Sequence, residues 1–219
     1  MSRMPREEGF GAVHHVVAQG NGRRPIVEDD RDRVAFVNRL ERIVRELRWA
    51  TVTSCLMDTH HHLVVQTAEP NLGLGMKRLQ GGHARWFNVR HGRDGNLFKH
   101  RFWSRRIRDD GWLLRACVYA VVNPVAAGVC AHPREWRWCS YTRIAGGSPD
   151  SFAPGEKLLL GMLGDSPLEA RRRYVELVDM GVEIAVARRK PAGAALWRSL
   201  GRIPALGGEQ VSGLKPDTA

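Results

Sequence analysis

The chain has 219 residues, enough for one well-buried domain with an appendage but tight for two full domains. Lys and Arg outnumber Asp and Glu by 34 to 23, a formal charge of +11, which favours a polyanionic partner, nucleic acid first, over an acidic small molecule. No stretch reaches the length of a membrane span, and Cys55, Cys117, Cys130 and Cys139 have neither zinc-finger nor CxxC spacing, so they read as reduced thiols of a cytoplasmic protein.

Residues 12–19, with β-branched Val13, Val16 and Val17, predict a strand that ends at the turn Gly20-Asn21-Gly22. From Asp29 to about Trp49, apolar Phe36, Val37, Leu40, Ile43, Val44 and Leu47 recur at helical spacing. Two strands follow, about 51–57 and 60–67, joined by a tight turn at Asp58-Thr59. Asn71 is a plausible N-cap for a second helix carrying Leu72, Met76, Leu79, Trp86 and Phe87, in which Gly73, Gly75, Gly81 and Gly82 weaken the pattern. A fourth strand is expected over 97–108, then a third helix from Asp110 to about Val122, which Pro124 should end.

This order, βαββαβ plus one helix, is the split βαβ pattern of an α+β, ferredoxin-like fold, an antiparallel sheet covered by two helices on one face. The other face is then open for a site. Gly146-Gly147-Ser148-Pro149 resembles a linker, which divides the chain into 1–147 and a basic extension, 148–219. Within the extension, Ser166-Pro167-Leu168-Glu169 has the form of a capping box opening a helix to about Met180, stopped by Gly181, and a mobile tail is expected beyond Arg188.

His60-His61-His62 lies on a strand, where alternate side chains point to opposite faces. His60 and His62 therefore share one face, while His61 joins Leu63 and Val65 toward the helical core. Two imidazoles so placed suit a divalent metal, although an HxH pair alone is more often incidental. On the third helix, Leu113, Leu114, Cys117, Val118 and Val121 form one apolar stripe, and Tyr119 points away from it. Arg115 and Asn123, four residues to either side, share its polar face, where the Arg115 cation is read as a further DNA contact. Tyr174 and Tyr141 read as packed aromatics, and packing is also the better reading of His15. Alternation along the fourth strand puts Lys99, Arg101, Trp103 and Arg105 on one face, a track for phosphates with a base stacked on Trp103. Asn21, Arg23 and Arg24 add phosphate contacts beside it.

The runs Met57 to Val65, Tyr119 to Gly128 and Trp136 to Tyr141 together resemble the single-tyrosine HUH transposases, in particular the branch associated with repetitive extragenic palindromes (REP). The resemblance covers roughly residues 12–147. It departs at Asp58-Thr59, where Pro-Asn is usual, and at His61, where a bulky apolar residue is usual. It implies a ferredoxin-like palm, Tyr119 as the nucleophile, and a site for Mg²⁺ or Mn²⁺ on His60, His62 and Asn123. It also implies a metal-dependent single-stranded DNA transesterase that cleaves and rejoins DNA through a 5′-phosphotyrosine. Single-stranded or hairpin DNA is the expected partner, and a homodimer the expected assembly. The alternative is a non-catalytic single-stranded nucleic-acid-binding protein derived from a transposase.

Overall fold

The structure is a computed structural model and describes residues 8–147 and 153–187. Packing divides the chain into two compact units, one made of the residues up to Thr51 with Leu56–Ile107, the other of Val52–Cys55 with the residues from Arg108 on.

In the first unit, β1 (Val13–Gln19) leads through a 3-10 turn (Asn21–Arg23) to α1 (Asp30–Glu46), capped by the Asp29 carboxylate, which accepts from the Asp32 N–H at 3.0 Å. β2 (Ala50–Leu56), whose middle counts with the second unit, is followed by β3 (His60–Gln66), α2 (Leu72–His91) and β4 (Trp103–Ile107). The four strands form one antiparallel sheet in the order β2-β3-β1-β4, so the α+β split βαβ arrangement expected from the sequence is the observed one. Helices α1 and α2 cover the face that carries His14, Val16, His61 and Leu63: the Phe36 ring of α1 lies 5.0 Å from His61, and His83 of α2 has its Nε2 2.7 Å from the Ile26 carbonyl oxygen.

Three local expectations of this unit change. Asn71 does not cap α2 with its side chain; its Oδ1 instead accepts from the Trp49 indole N–H at 2.6 Å. The glycines of α2 do not break the helix, because Gly75 makes room for the Trp49 ring against the helix backbone, where a Cβ would collide with it. The fourth strand is also shorter than expected: it starts at Trp103, so Lys99 and Arg101 precede it.

The second unit is built on α3 (Asp110–Ala126), with α4 (Tyr141–Gly146), α5 (Pro154–Gly161) and α6 (Pro167–Ala187). Its cap is Asp109, whose carboxylate accepts from the Trp112 N–H at 2.7 Å. Pro124 does not end α3. Every residue from Ala120 to Val125 is buried, and the ladder resumes past the proline with Ala127 N–H donating to Asn123 O at 2.9 Å, until Gly128 turns at φ +73°. Helix α6 opens as expected, Ser166 Oγ accepting from the Glu169 N–H at 3.2 Å, but it continues past Gly181, which is buried. A small residue at a packed position does not interrupt a helix whose face is held by tertiary contacts. Tyr174 and Val178 of that helix are 1% and 0% exposed, and α6 packs along α3. Helix α5 was not foreseen. The linker residues 148–152 and the tail from Arg188 lie outside the described residues.

The Trp136 to Tyr141 run docks by its serine and cysteine. Ser140 Oγ sits 2.6 Å from Thr53 Oγ1 and accepts from the Ser54 N–H at 3.1 Å, while Cys139 bridges to Cys55 in strand fashion. Tyr141 is buried, its ring 5.9 Å from that of Tyr174, so both are packed aromatics as read from the sequence. All four cysteines are free thiols.

Candidate active site

Strand alternation sorts the three histidines of β3 as expected. His61 is fully buried on the helix-covered face. His60 and His62 share the opposite face, their rings 5.0 Å apart and nearly perpendicular. That face is less open than anticipated: His62 is 2% exposed and Val64 is fully buried, so solvent reaches the pair mainly at His60. Thr59 Oγ1 lies 3.1 Å from His60 Nδ1, a contact that orients the ring. The turn before β3 is held by its unusual Asp58: its carboxylate accepts from the Arg33 guanidinium at 2.5 Å, and its carbonyl accepts from the Ile26 N–H at 2.7 Å.

The β1–β3 register sets Val17 opposite His62 and His15 opposite Val64, which brings His15 onto the same face. His15 is buried, as expected, yet what it packs on is His62, the rings stacked at 5.8 Å with 24° between planes, and its far side meets Trp103 edge-on at 5.6 Å. This aromatic row from His60 through His62 and His15 to Trp103 was missed in the sequence. The pairing of β1 with β3 was the missing information; alternation within β1 alone leaves the face of His15 undecided.

Burial holds His15 and His62 neutral. His15 is lowered to about 4 by burial alone, and His62 is lowered well below its ordinary value, first by burial and then by the neighbouring histidines. A neutral imidazole is the form that ligates a metal, so the donor chemistry of the pair fits a divalent cation. Among the described residues no three His, Cys, Asp or Glu side chains converge on one point.

In the second unit, α3 is buried almost all round. Between Trp112 and Val125 every residue is buried except Tyr119, which is partly exposed. The exposed polar face expected for Arg115, Tyr119 and Asn123 is thus absent: Arg115 is 9% and Asn123 8% exposed, since the helix packs on more than its apolar stripe. The i, i+4 relation of Tyr119 and Asn123 holds as a side-chain hydrogen bond. Burial raises the Tyr119 phenol above its ordinary value, and the Asn123 bond pulls it partly back.

The basic residues read as DNA contacts gather at one rim of the first unit, although not on one strand face. Asn21 N–H donates to Leu97 O at 2.8 Å, Lys99 N–H donates to Gln19 O at 2.9 Å, and Gly20 bridges Phe98. Asn21, Arg23, Arg24, Lys99 and Arg101 are all exposed there, Arg23 with a left-handed backbone at φ +59°. Trp103 is 43% exposed, and Arg105, two residues on in β4, shares its face.

Residues 10–108 match the family described as Transposase IS200 like. That part of the chain is similar to the IS200-like transposases. It is 27% identical over 126 residues to a protein of Haemophilus influenzae named as a REP-associated tyrosine transposase, a match spanning 48% of this chain and 72% of that protein. Its fold is similar to that of a REP-associated tyrosine transposase solved with a REP hairpin, with a TM-score of 0.57 and 18% identity over 70% of this chain and 92% of the other. The family match contains His60 and His62 and ends just before α3, so Tyr119 and Asn123 lie outside it.

Proposed function

We propose that this transposase relative is a metal-dependent single-stranded DNA endonuclease and strand transferase, with Tyr119 as its nucleophile and His60, His62 and Asn123 as its metal ligands. The observation that carries the reading is the position of Tyr119: along a helix buried from Trp112 to Val125, it is the one residue that is partly exposed. A core tyrosine has no reason to break such burial, and Tyr174, which is 1% exposed, serves as the contrast.

When bound, a divalent cation on this donor set supplies charge neutralisation at a phosphate oxygen. Tyr119 Oη forms a bond to phosphorus as the bond from phosphorus to the 3′ oxygen breaks. The phenol loses its proton, the 3′ oxygen gains one, and the product is a 5′-phosphotyrosine with a free 3′-OH. Burial raises the phenol's pKa, so the step needs a group that takes up its proton. Asn123, bonded to the hydroxyl, orients it for that step. The phosphodiester energy stays in the covalent link, so a second 3′-OH reverses the reaction and rejoins DNA without a nucleotide cofactor.

The substrate reading is single-stranded or hairpin DNA. The exposed rim of Asn21, Arg23, Arg24, Lys99 and Arg101 supports it through phosphates, and Trp103 offers a surface on which a base stacks. Arg115 is too buried to belong to that track. A homodimer is proposed by likeness to the family.

The test is a denaturing gel of the protein incubated with hairpin-bearing single strands. A covalent adduct is expected with Mg²⁺ or Mn²⁺ and not with chelator, and peptide mapping should put the nucleotide on the segment containing Cys117 to Asn123. Cleavage without any adduct would point to a metal-activated water and overturn the tyrosine assignment.

A further inference from the structure

The outer side of the helical layer in the first unit, turned away from the face of His60 and His62, carries a groove of about 540 Å³ between α1 and α2. Its walls are Arg31 and Arg39 from α1 and Gly82, Arg85, Trp86, Val89 and Arg90 from α2, with no carboxylate among them. Arg90 is committed elsewhere: it is ion-paired to Asp29 at 2.6 Å and to the buried Asp32, and it lies over the Trp86 ring at 5.7 Å. The guanidinium groups of the other three, Arg31, Arg39 and Arg85, take part in no ion pair among the described residues, and Arg39 Nη1 has no hydrogen-bond partner. Arg39 is the telling one. Its Nη1 is buried without an acceptor, and burial together with Arg42 lowers its pKa. It is seated there by Gly82, where a Cβ would come within 2.7 Å of the Arg39 Nε.

Arg39 is partly desolvated with an unpaired Nη1 in a groove whose walls carry no carboxylate, while Arg31 and Arg85 are exposed at its edges, and a polyanion relieves that cost. The groove also has no free aromatic platform, since the Trp86 ring is already stacked with His83 at 6.1 Å and covered by Arg90. Single-strand recognition relies on such platforms, whereas duplex backbone is held by charge and donors alone. We infer that the groove formed by Arg31, Arg39 and Arg85 binds the phosphodiester backbone of duplex DNA, as a contact surface separate from the face of His60 and His62. Phosphates laid along it receive donors from both helices, and Arg39 finds the acceptor its buried Nη1 lacks.

The test uses the full-length chain and fluorescence anisotropy, without divalent metal so that no cleavage intervenes, with three labelled probes: a blunt duplex, a hairpin, and an unstructured single strand. Replacing Arg31, Arg39 and Arg85 together by Gln should make the salt dependence of duplex binding shallower by about 0.9 per lost phosphate contact, a change of roughly 2–3 in slope. Single-strand binding should stay within about twofold. Gly82→Ala changes no charge and favours the helix, yet it displaces Arg39, so it should weaken duplex binding while leaving the melting temperature equal or higher. Unchanged duplex affinity and slope in the triple variant would overturn the inference, as would equal losses on duplex and single strand. So would wild-type binding to anionic lipid vesicles that the triple variant loses while duplex binding survives. Because nothing in this test requires cleavage, a protein that fails to form the Tyr119 adduct still leaves the groove to be judged by itself.

Discussion

β3 and α3 present their chemistry by contrasting means. In β3, neighbouring residues of one type are split between two environments, His61 fully buried against Phe36 and His62 beside His60 on the other face. In α3, the surroundings of nearly all residues are alike, and a single tyrosine differs from them by being partly exposed. A strand separates function from packing by alternation, so both coexist in consecutive positions. A helix buried all round separates them only by where its covering stops, which no repeat in the sequence records.

The contrast breaks most sharply at Tyr119. Tyr119→Phe removes one oxygen and the bond to Asn123, so adduct formation and strand cleavage should fall by roughly a thousandfold or more, with DNA affinity unchanged and stability lower by at most about 1 kcal/mol. Tyr174→Phe, in the same unit, should leave the adduct intact. Quantitation of labelled adduct on a denaturing gel separates the two, and full-rate cleavage by Tyr119→Phe would end the assignment.

The dependence of α3 on its covering can be tested by ending the chain after Gly147. That deletion removes buried Leu159, Leu160, Leu163, Tyr174 and Val178, each worth about 2 kcal/mol, a sum near 10 kcal/mol and comparable with the whole stability of a domain. Loss of the cooperative transition, followed by circular dichroism, is therefore expected. A truncated chain that still melts cooperatively near the full-length temperature would show that α3 folds without α6.

On the strand side, His60→Ala and His62→Ala should each abolish metal-dependent cleavage, while His61→Leu should retain it, because His61 only fills a place beside Phe36. Equal loss at all three positions would refute the division of faces. The same burial makes the first unit sensitive to acid. His14 and His83 are each lowered to about 4, chiefly by burial, from an ordinary 6.5. Their folded-state values lie below the unfolded one, so the stability they permit is fully present above pH 6.5 and is lost as pH falls toward 4. Urea midpoints measured across that window should fall steadily, and His14→Leu should flatten the fall. A midpoint independent of pH would contradict it.

The smallest effect concerns the exposed end of the aromatic row. Trp103→Ala should weaken single-strand binding by about 1–3 kcal/mol, read by anisotropy, with cleavage of saturating substrate retained. No change in affinity would mean that Trp103 serves only to pack against His15.

By itself the sequence determined the element order, the α+β class, the two faces of β3 and the phase of Tyr119, because each follows from a local period: two along a strand, 3.6 along a helix. The same holds for the Asp29 and Ser166 caps, which act over three residues. Tertiary structure alone decided that Pro124 and Gly181 lie inside helices, that Arg115 and Asn123 are buried, and that His15 stacks on His62. Each of these depends on what a distant segment lays against the position, by packing or by strand register, and a local period carries no information about partners far along the chain. The arginine groove belongs to the same class: Arg39 and Gly82 stand more than forty residues apart, and only the packing of α1 on α2 makes them one site.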